Sequence, residues 1–185
     1  MRVCVVGTGY IGLPTALMLA SHGVHVEAVG HRQETVDKLR RGDVTFEEKG
    51  LPELFAAARE SGNINFRCDY PAEDFYIITV PTPYLADSKK VDAAAIVDAL
   101  RHVLAHCADN AVIVVESTIS PGTIDREVRP VVAESGKHVR LAHAPERIIP
   151  GNMVYELIHN SRTIGCDDAA TGEEIKNVYL SFCQG

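Results

Sequence analysis

The sequence predicts an α/β fold: a doubly wound, mostly parallel sheet with helices on both faces. Three observations carry this. Short runs rich in valine and isoleucine recur along the chain, as expected of strands buried on both sides. Segments with apolar residues at helical spacing alternate with them. The connections are short, so the strands are parallel and linked by right-handed crossovers. No internal repeat, low-complexity tract or linker interrupts the 185 residues, so residues 1–185 are expected to form a single domain.

The elements follow in order. Arg2–Val6 is valine-rich and stops at Gly7, which suits a buried strand. Leu13–His22 reads as a helix with Leu13, Leu17 and Ala20 on one side, closed by Gly23. Val24–Val29 alternates around His25 and Glu27 as a second strand. Gln33–Arg41 is a polar-faced helix ended by Gly42, and Leu51–Glu60 a short helix stopped by Gly62. Ile64–Cys68 alternates weakly, as an edge strand would. Phe75–Val80 is nearly all apolar and meets Pro81, as a central parallel strand would. Ile96, Val97, Leu100, Val103 and Leu104 give Asp92–His106 a helical period. Ala111–Val115 is another buried strand, and Pro121–Glu134 a helix with proline in its first turn. His138–Ala142 and Arg162–Gly165 are the last strands expected, and Asp167–Phe182 the last helix.

Composition narrows the function classes. Hydrophobic residues make up 46% and charged residues 23%, which is ordinary globular usage. Eighteen Lys and Arg against 25 Asp and Glu leave a net charge of −7, which argues against a nucleic-acid binder and leaves room only for a local basic pocket. The longest clean apolar runs, Ala111–Val115 among them, fall far short of the ~20 residues that span a bilayer. Met1–Val6 is too short for the core of a signal peptide. The cysteines (Cys4, Cys68, Cys107, Cys166 and Cys183) are scattered, odd in number and without a CxxC pair. Free thiols in a reducing, cytoplasmic setting are therefore expected, with no membrane and no nucleic-acid partner.

Gly7-Thr8-Gly9-Tyr10-Ile11-Gly12 fits G-x-G-x-x-G between a predicted strand and a predicted helix. In that context each glycine has a task. Gly7 turns the chain off the strand, Gly9 lets a pyrophosphate reach the backbone, and Gly12 lets the helix pack on the sheet. The helix start then offers free N–H groups to phosphates. The pattern predicts a Rossmann-type dinucleotide loop; the other reading is a glycine turn needed only for packing. A ribose-binding carboxylate is expected about 20 residues further on. Gly30 stands there instead, followed by His31 and Arg32, with Glu27 too early and Glu34 in the next helix. A glycine at this place makes room for a 2′-phosphate, and Arg32 would pair with it. The cofactor call is thus NAD or NADP, these residues leaning to NADP. The other reading of Arg32 is an ordinary solvated residue at a helix start.

Several segments carry a resemblance: GTGYIGLPTA at Gly7–Ala16, VPTP at Val80–Pro83, ESTISPGT at Glu116–Thr123, APERIIPG at Ala144–Gly151 and ELIHNSRTIG at Glu156–Gly165. In this order they resemble the N-terminal, NAD-binding domain of the UDP-glucose/GDP-mannose dehydrogenase family. The likeness covers nearly the whole chain. It is strongest to the branch that oxidises UDP-N-acetylmannosamine or UDP-N-acetylglucosamine to uronic acids. The resemblance implies that Tyr10 and Ile11 meet the pyrophosphate and that Thr82 touches the cofactor. It implies that Thr118 lies beside the nicotinamide and helps hold a water near the reacting carbon. Glu146 would lie near the substrate and the hydrolytic water, and Arg147 is typical of the N-acetylhexosamine branch. Pro150 stands where the UDP-glucose branch has a second glutamate. Family precedent points to NAD. The catalytic assignments are therefore Thr118 and Glu146, and the substrate assignments Glu146 and Arg147. From residue types alone, Glu146 reads rather as a structural partner of Arg147 or of a nearby helix; the resemblance is what turns it toward the substrate.

The family reaction is a two-fold oxidation in which a cysteine traps the aldehyde, helped by a lysine and an asparagine on a later helix. That cysteine lies in a GFGG-x-C-type motif, and none of the five cysteines here does. The expectation is a cofactor site and one wall of a substrate site, inactive alone. A homodimer or association with a catalytic half is the expected partnership, besides the dinucleotide and a UDP-sugar. The alternative is a degenerate, non-enzymatic module that binds a nucleotide or a protein. His102 and His106 stand four apart on a helix without a third ligand, so no metal site is expected. His143, just before Pro145-Glu146, is a candidate for the cleft. Lys89-Lys90 reads as a solvated loop.

Overall fold

The computed structural model describes residues 1–185. The chain opens with β1 (Arg2–Val6), α1 (Gly12–Ser21), β2 (His25–Val29), α2 (Gln33–Arg41), α3 (Leu51–Glu60) and β3 (Ile64–Arg67). It continues through β4 (Phe75–Ile78), β5 (Tyr84–Leu85), β6 (Lys90–Val91), α4 (Ala94–His106) and β7 (Val112–Val115). A π-helical turn (Ile124–Val128) runs into α5 (Arg129–Ser135), followed by β8 (Arg140–His143), α6 (Met153–His159), β9 (Gly165–Cys166) and α7 (Ala169–Tyr179).

Seven strands form one sheet in the order β3-β2-β1-β4-β7-β8-β9. All neighbours are parallel except β9, which runs antiparallel to β8. The doubly wound, mostly parallel fold expected from the sequence is therefore present. Successive side chains of a strand point to opposite faces, and the valine-rich strands feed two cores at once. Val3, Val5, Ile77, Val112 and Val114 join α1, α3, α6 and α7 on one side. Cys4, Val6, Ile78, Ile113 and Val115 join α4 and the segment around Val128 and Val131 on the other. Two apolar faces per strand leave no solvated side, which is why these runs do not alternate in sequence.

Several details differ from expectation. The helix placed at Pro121–Glu134 begins with the π-helical turn at Ile124 and becomes α-helical only at Arg129. The strand placed at Arg162–Gly165 is the short β9, and Arg162 precedes it. The strand placed at His138–Ala142 runs from Arg140 to His143. Helix α6 was not foreseen, nor was the β5–β6 hairpin, which takes Lys90 out of the loop and into a strand. No helix is long and apolar enough to cross a membrane.

Candidate functional site

The sheet order reverses at β1, whose neighbours are β2 on one side and β4 on the other. In open α/β sheets ligands bind outside the carboxyl ends of the strands at such a switch point. A cleft of about 490 Å3 opens there. It brings Gly7, Gly9, Tyr10 and Ile11 together with Arg32 from the β2 side and with Thr82, Thr118 and Glu146 from the β4, β7 and β8 side. All of these were singled out in the sequence. His31, Thr35, Thr79 and Glu116, assigned no role from the sequence, also line it.

The glycine loop has the geometry its spacing demands. The Gly7 amide donates to the Val29 carbonyl at 2.8 Å, and Gly7 sits at φ +110°, a backbone that favours glycine. Gly12 is buried against the Gly7 carbonyl and the Thr79 hydroxyl, and an added Cβ would collide with both. The Thr79 hydroxyl donates toward the Val6 and Gly7 carbonyls at 2.9 and 3.1 Å, so it fixes the turn from below. At Gly9 an added Cβ would meet nothing within 4 Å. Its empty side faces solvent, and the amides of Tyr10 and Ile11 have no acceptor in the protein. Open space above free N–H groups at a helix start is the cradle a pyrophosphate fits.

Glu48 ties this loop down. The Tyr10 hydroxyl donates to Glu48 Oε2 at 2.7 Å, and the Gly151 and Met153 amides donate to Glu48 at 2.9 and 3.1 Å. The Tyr10 hydrogen bond, then the Gly151 amide, hold the Glu48 carboxyl below its ordinary pKa. The same contact raises Tyr10. At the β2 tip, Arg32 is exposed and its Nε donates to His31 at 3.2 Å. At Gly30 an added Cβ would lie 2.7 Å from the Thr8 hydroxyl and 3.0 Å from Val36 Cγ2.

The opposite wall is more polar. The Thr82 hydroxyl donates to the Thr118 carbonyl at 2.7 Å, which leaves Thr118 exposed on the cleft. Behind it lies a buried cluster. Arg162 Nη1 donates to Glu116 Oε1 at 2.7 Å, and Arg162 Nη2 donates to Glu146 Oε2. Thr15 and Tyr179 hydroxyls donate to Glu116, each at 3.2 Å. The guanidinium stacks on the Tyr179 ring at 4.1 Å. The Glu116, Glu146 and Arg162 side chains are 0%, 6% and 6% exposed, and no buried polar side-chain atom lacks a partner. Burial pushes the Glu146 carboxyl up. Arg162 opposes this, and Glu116 adds to the rise. Burial works against the Arg162 charge, and Glu116, Tyr179 and Glu146 more than reverse it.

The remaining candidates lie elsewhere. The expected structural partner of Glu146, Arg147, gives it only a backbone amide at 2.8 Å; the Arg147 guanidinium is exposed and turned to the Ser161 carbonyl at 2.7 Å. His143 does not line the cleft; its ring is 3.3 Å from the Ser117 carbonyl, and burial lowers its pKa. His102 and His106 both stack on Tyr70. All five cysteines are free thiols, and none lines the cleft. Sequence reasoning missed Glu48, Glu116, Arg162 and Tyr179 as members of the site. Glu116 and Arg162 stood inside quoted motifs without a role, whereas nothing local marked Glu48 or Tyr179.

Fold and cleft together define a dinucleotide-binding domain of the Rossmann type. Comparison with known proteins then fixes the family. Residues 1–183 match the model of the UDP-glucose/GDP-mannose dehydrogenase family, NAD binding domain. The UDP-N-acetyl-D-mannosamine dehydrogenase of Methanococcus aeolicus is 39% identical over 186 aligned positions, covering 100% of this chain and 42% of the relative. The NDP-N-acetyl-D-galactosaminuronic acid dehydrogenase of Ralstonia nicotianae is 34% identical, covering 99% of this chain and 46% of the relative. Among solved structures, the UDP-N-acetyl-mannosamine dehydrogenase of Staphylococcus aureus superposes with a TM-score of 0.93 at 41% identity, covering 100% of this chain and 46% of that one. The chain therefore belongs to the UDP-glucose/GDP-mannose dehydrogenase family, as its NAD(P)-binding domain. It spans less than half the length of these relatives.

Proposed function

We propose that these 185 residues form one dinucleotide-binding domain that supplies the cofactor site and one wall of the substrate site of a UDP-N-acetylhexosamine 6-dehydrogenase. The observation that carries this is the single cleft uniting the glycine loop with Thr118 and Glu146. The names of the relatives above support the substrate class. When bound, the nicotinamide supplies the hydride acceptor. The chain's own residues do the rest. The Tyr10 and Ile11 amides hold the pyrophosphate, and Gly9 keeps that approach open. Thr118, exposed at the β7 tip, orients the ring side of the site. Glu146 accepts a hydrogen bond from a substrate hydroxyl or a water. The covalent step falls to a group outside this cleft, because none of the cysteines lines it. By itself the chain binds dinucleotide without turning over sugar.

At the ribose end, His31 and Arg32 line the cleft and no carboxylate repels a phosphate. On this reading the site accepts NADP as well as NAD. Calorimetric titration of the chain with NAD, NADH, NADP and NADPH tests the proposal. Saturable binding is expected; no saturation with any of the four defeats it. Arg32→Ala is expected to weaken NADP selectively. An equal loss for NAD and NADP would remove Arg32 from the phosphate site.

A further inference from the structure

The buried cluster at the back of the cleft contains two carboxyl groups and only one guanidinium to pair with them. Buried carboxylates side by side repel one another and are tolerated only with a shared partner. Here that partner is Arg162, delivered by the connection between α6 and β9. Its two Nη groups reach different acids, Glu116 at the end of β7 and Glu146 after β8. The Tyr179 ring from α7 closes its open face and its hydroxyl donates to Glu116 Oε2, while Thr15 from α1 donates to Oε1, the oxygen that also takes Arg162. Glu146 is then fixed at both oxygens: the Arg147 amide donates to Oε1 and Arg162 donates to Oε2. Glu146 still lines the cleft, whereas Arg162 does not.

We propose that Arg162 is a positioning residue: by bridging Glu116 and Glu146 from behind the wall, it holds the Glu146 carboxylate in one orientation toward any hydroxyl or water that enters the cleft. This rests on the reading of Glu146 as a substrate-side group. Arg162 suits the task better than lysine would, since a planar fork serves two acceptors at once and an ammonium is a point charge. The charged and titratable groups around Glu146 are Arg162, Glu116, Arg147 and Tyr179. Of these only Glu116 competes with Glu146 for the guanidinium.

Carbon-detected NMR titration of the 185-residue chain, with labelled glutamate, reads the effect directly and needs no dinucleotide. A failure here is thus separable from a failure of the cofactor titration. Glu146→Gln identifies the Glu146 resonance. In Arg162→Met its titration is expected to rise by about one pH unit or more. In Glu116→Gln it should fall, because the neighbouring negative charge is gone and Arg162 keeps Glu146 as its only carboxylate. Arg162→Lys should lie between wild type and Arg162→Met, with the Arg147 amide resonance displaced. A role confined to packing would lower the melting temperature and leave the Glu146 titration in place, and that result overturns the proposal. If Arg162→Met does not fold, Glu116→Gln decides: an unchanged Glu146 titration in that variant also overturns it.

Discussion

At Gly9 an added methyl meets nothing within 4 Å and the backbone is unstrained, so Gly9→Ala is expected to fold like the wild type. The same methyl projects into the space a pyrophosphate needs, so calorimetry should show dinucleotide binding weakened at least tenfold, about 1.4 kcal/mol. Gly12→Ala should behave in the opposite sense. Its methyl collides with the Gly7 carbonyl and the Thr79 hydroxyl, and overpacking of this kind costs about 1–3 kcal/mol or more in denaturant unfolding. Both glycines were legible in the sequence because the spacing of the loop is local. Thr118 and Glu146 were singled out through the family resemblance, supported by their place after predicted strands at the carboxyl edge of the sheet, since single polar residues carry no period of their own. The partnership of Arg162 was not legible at all. Its acids lie 46 and 16 positions away, and only the sheet brings them to one place.

Element boundaries were readable where chemistry at the ends is local. Helices α2 and α3 fall on the predicted residues, and Gly42 at φ +103° closes α2 in the left-handed conformation that glycine allows. Helix α6 was hidden for the converse reason. It is short, and the amides at its start are satisfied by Glu48, 105 positions from Met153. The β5 and β6 strands, two residues each, are too short to show alternation. The Glu48 contact carries a pH dependence. Its pKa is lowered in the fold, first by the Tyr10 hydroxyl, so the contact stabilises the protein above the ordinary carboxylate value. That contribution fades as pH falls through the lowered value. Melting curves from neutral to acid pH should therefore show wild type above Glu48→Ala at neutral pH and the two converging in acid. A constant gap would mean that the Glu48 charge plays no part.

Across the whole molecule, the doubly wound, mostly parallel sheet was implied by the alternation of strands and helices, whereas the antiparallel β9 was not, because two residues at a sheet edge leave no pattern. The cleft takes walls from both halves of the sheet, so on the proposed function dinucleotide binding would tie the two halves together. Ligand at a hundredfold over its dissociation constant should stabilise the chain by about 2.7 kcal/mol, visible as a raised melting temperature and much reduced in Gly9→Ala. The parallel register of β1 and β2, Val6 opposite Val29, sets the tips of these strands side by side. Thr8 and Gly30 emerge there into one shared volume. Re-engineering the coenzyme preference is therefore a coupled edit. Gly30→Asp alone should lower the melting temperature, because the new side chain meets the Thr8 hydroxyl. Thr8→Ala made together with it should restore stability and give an acid a place to grip an unphosphorylated ribose.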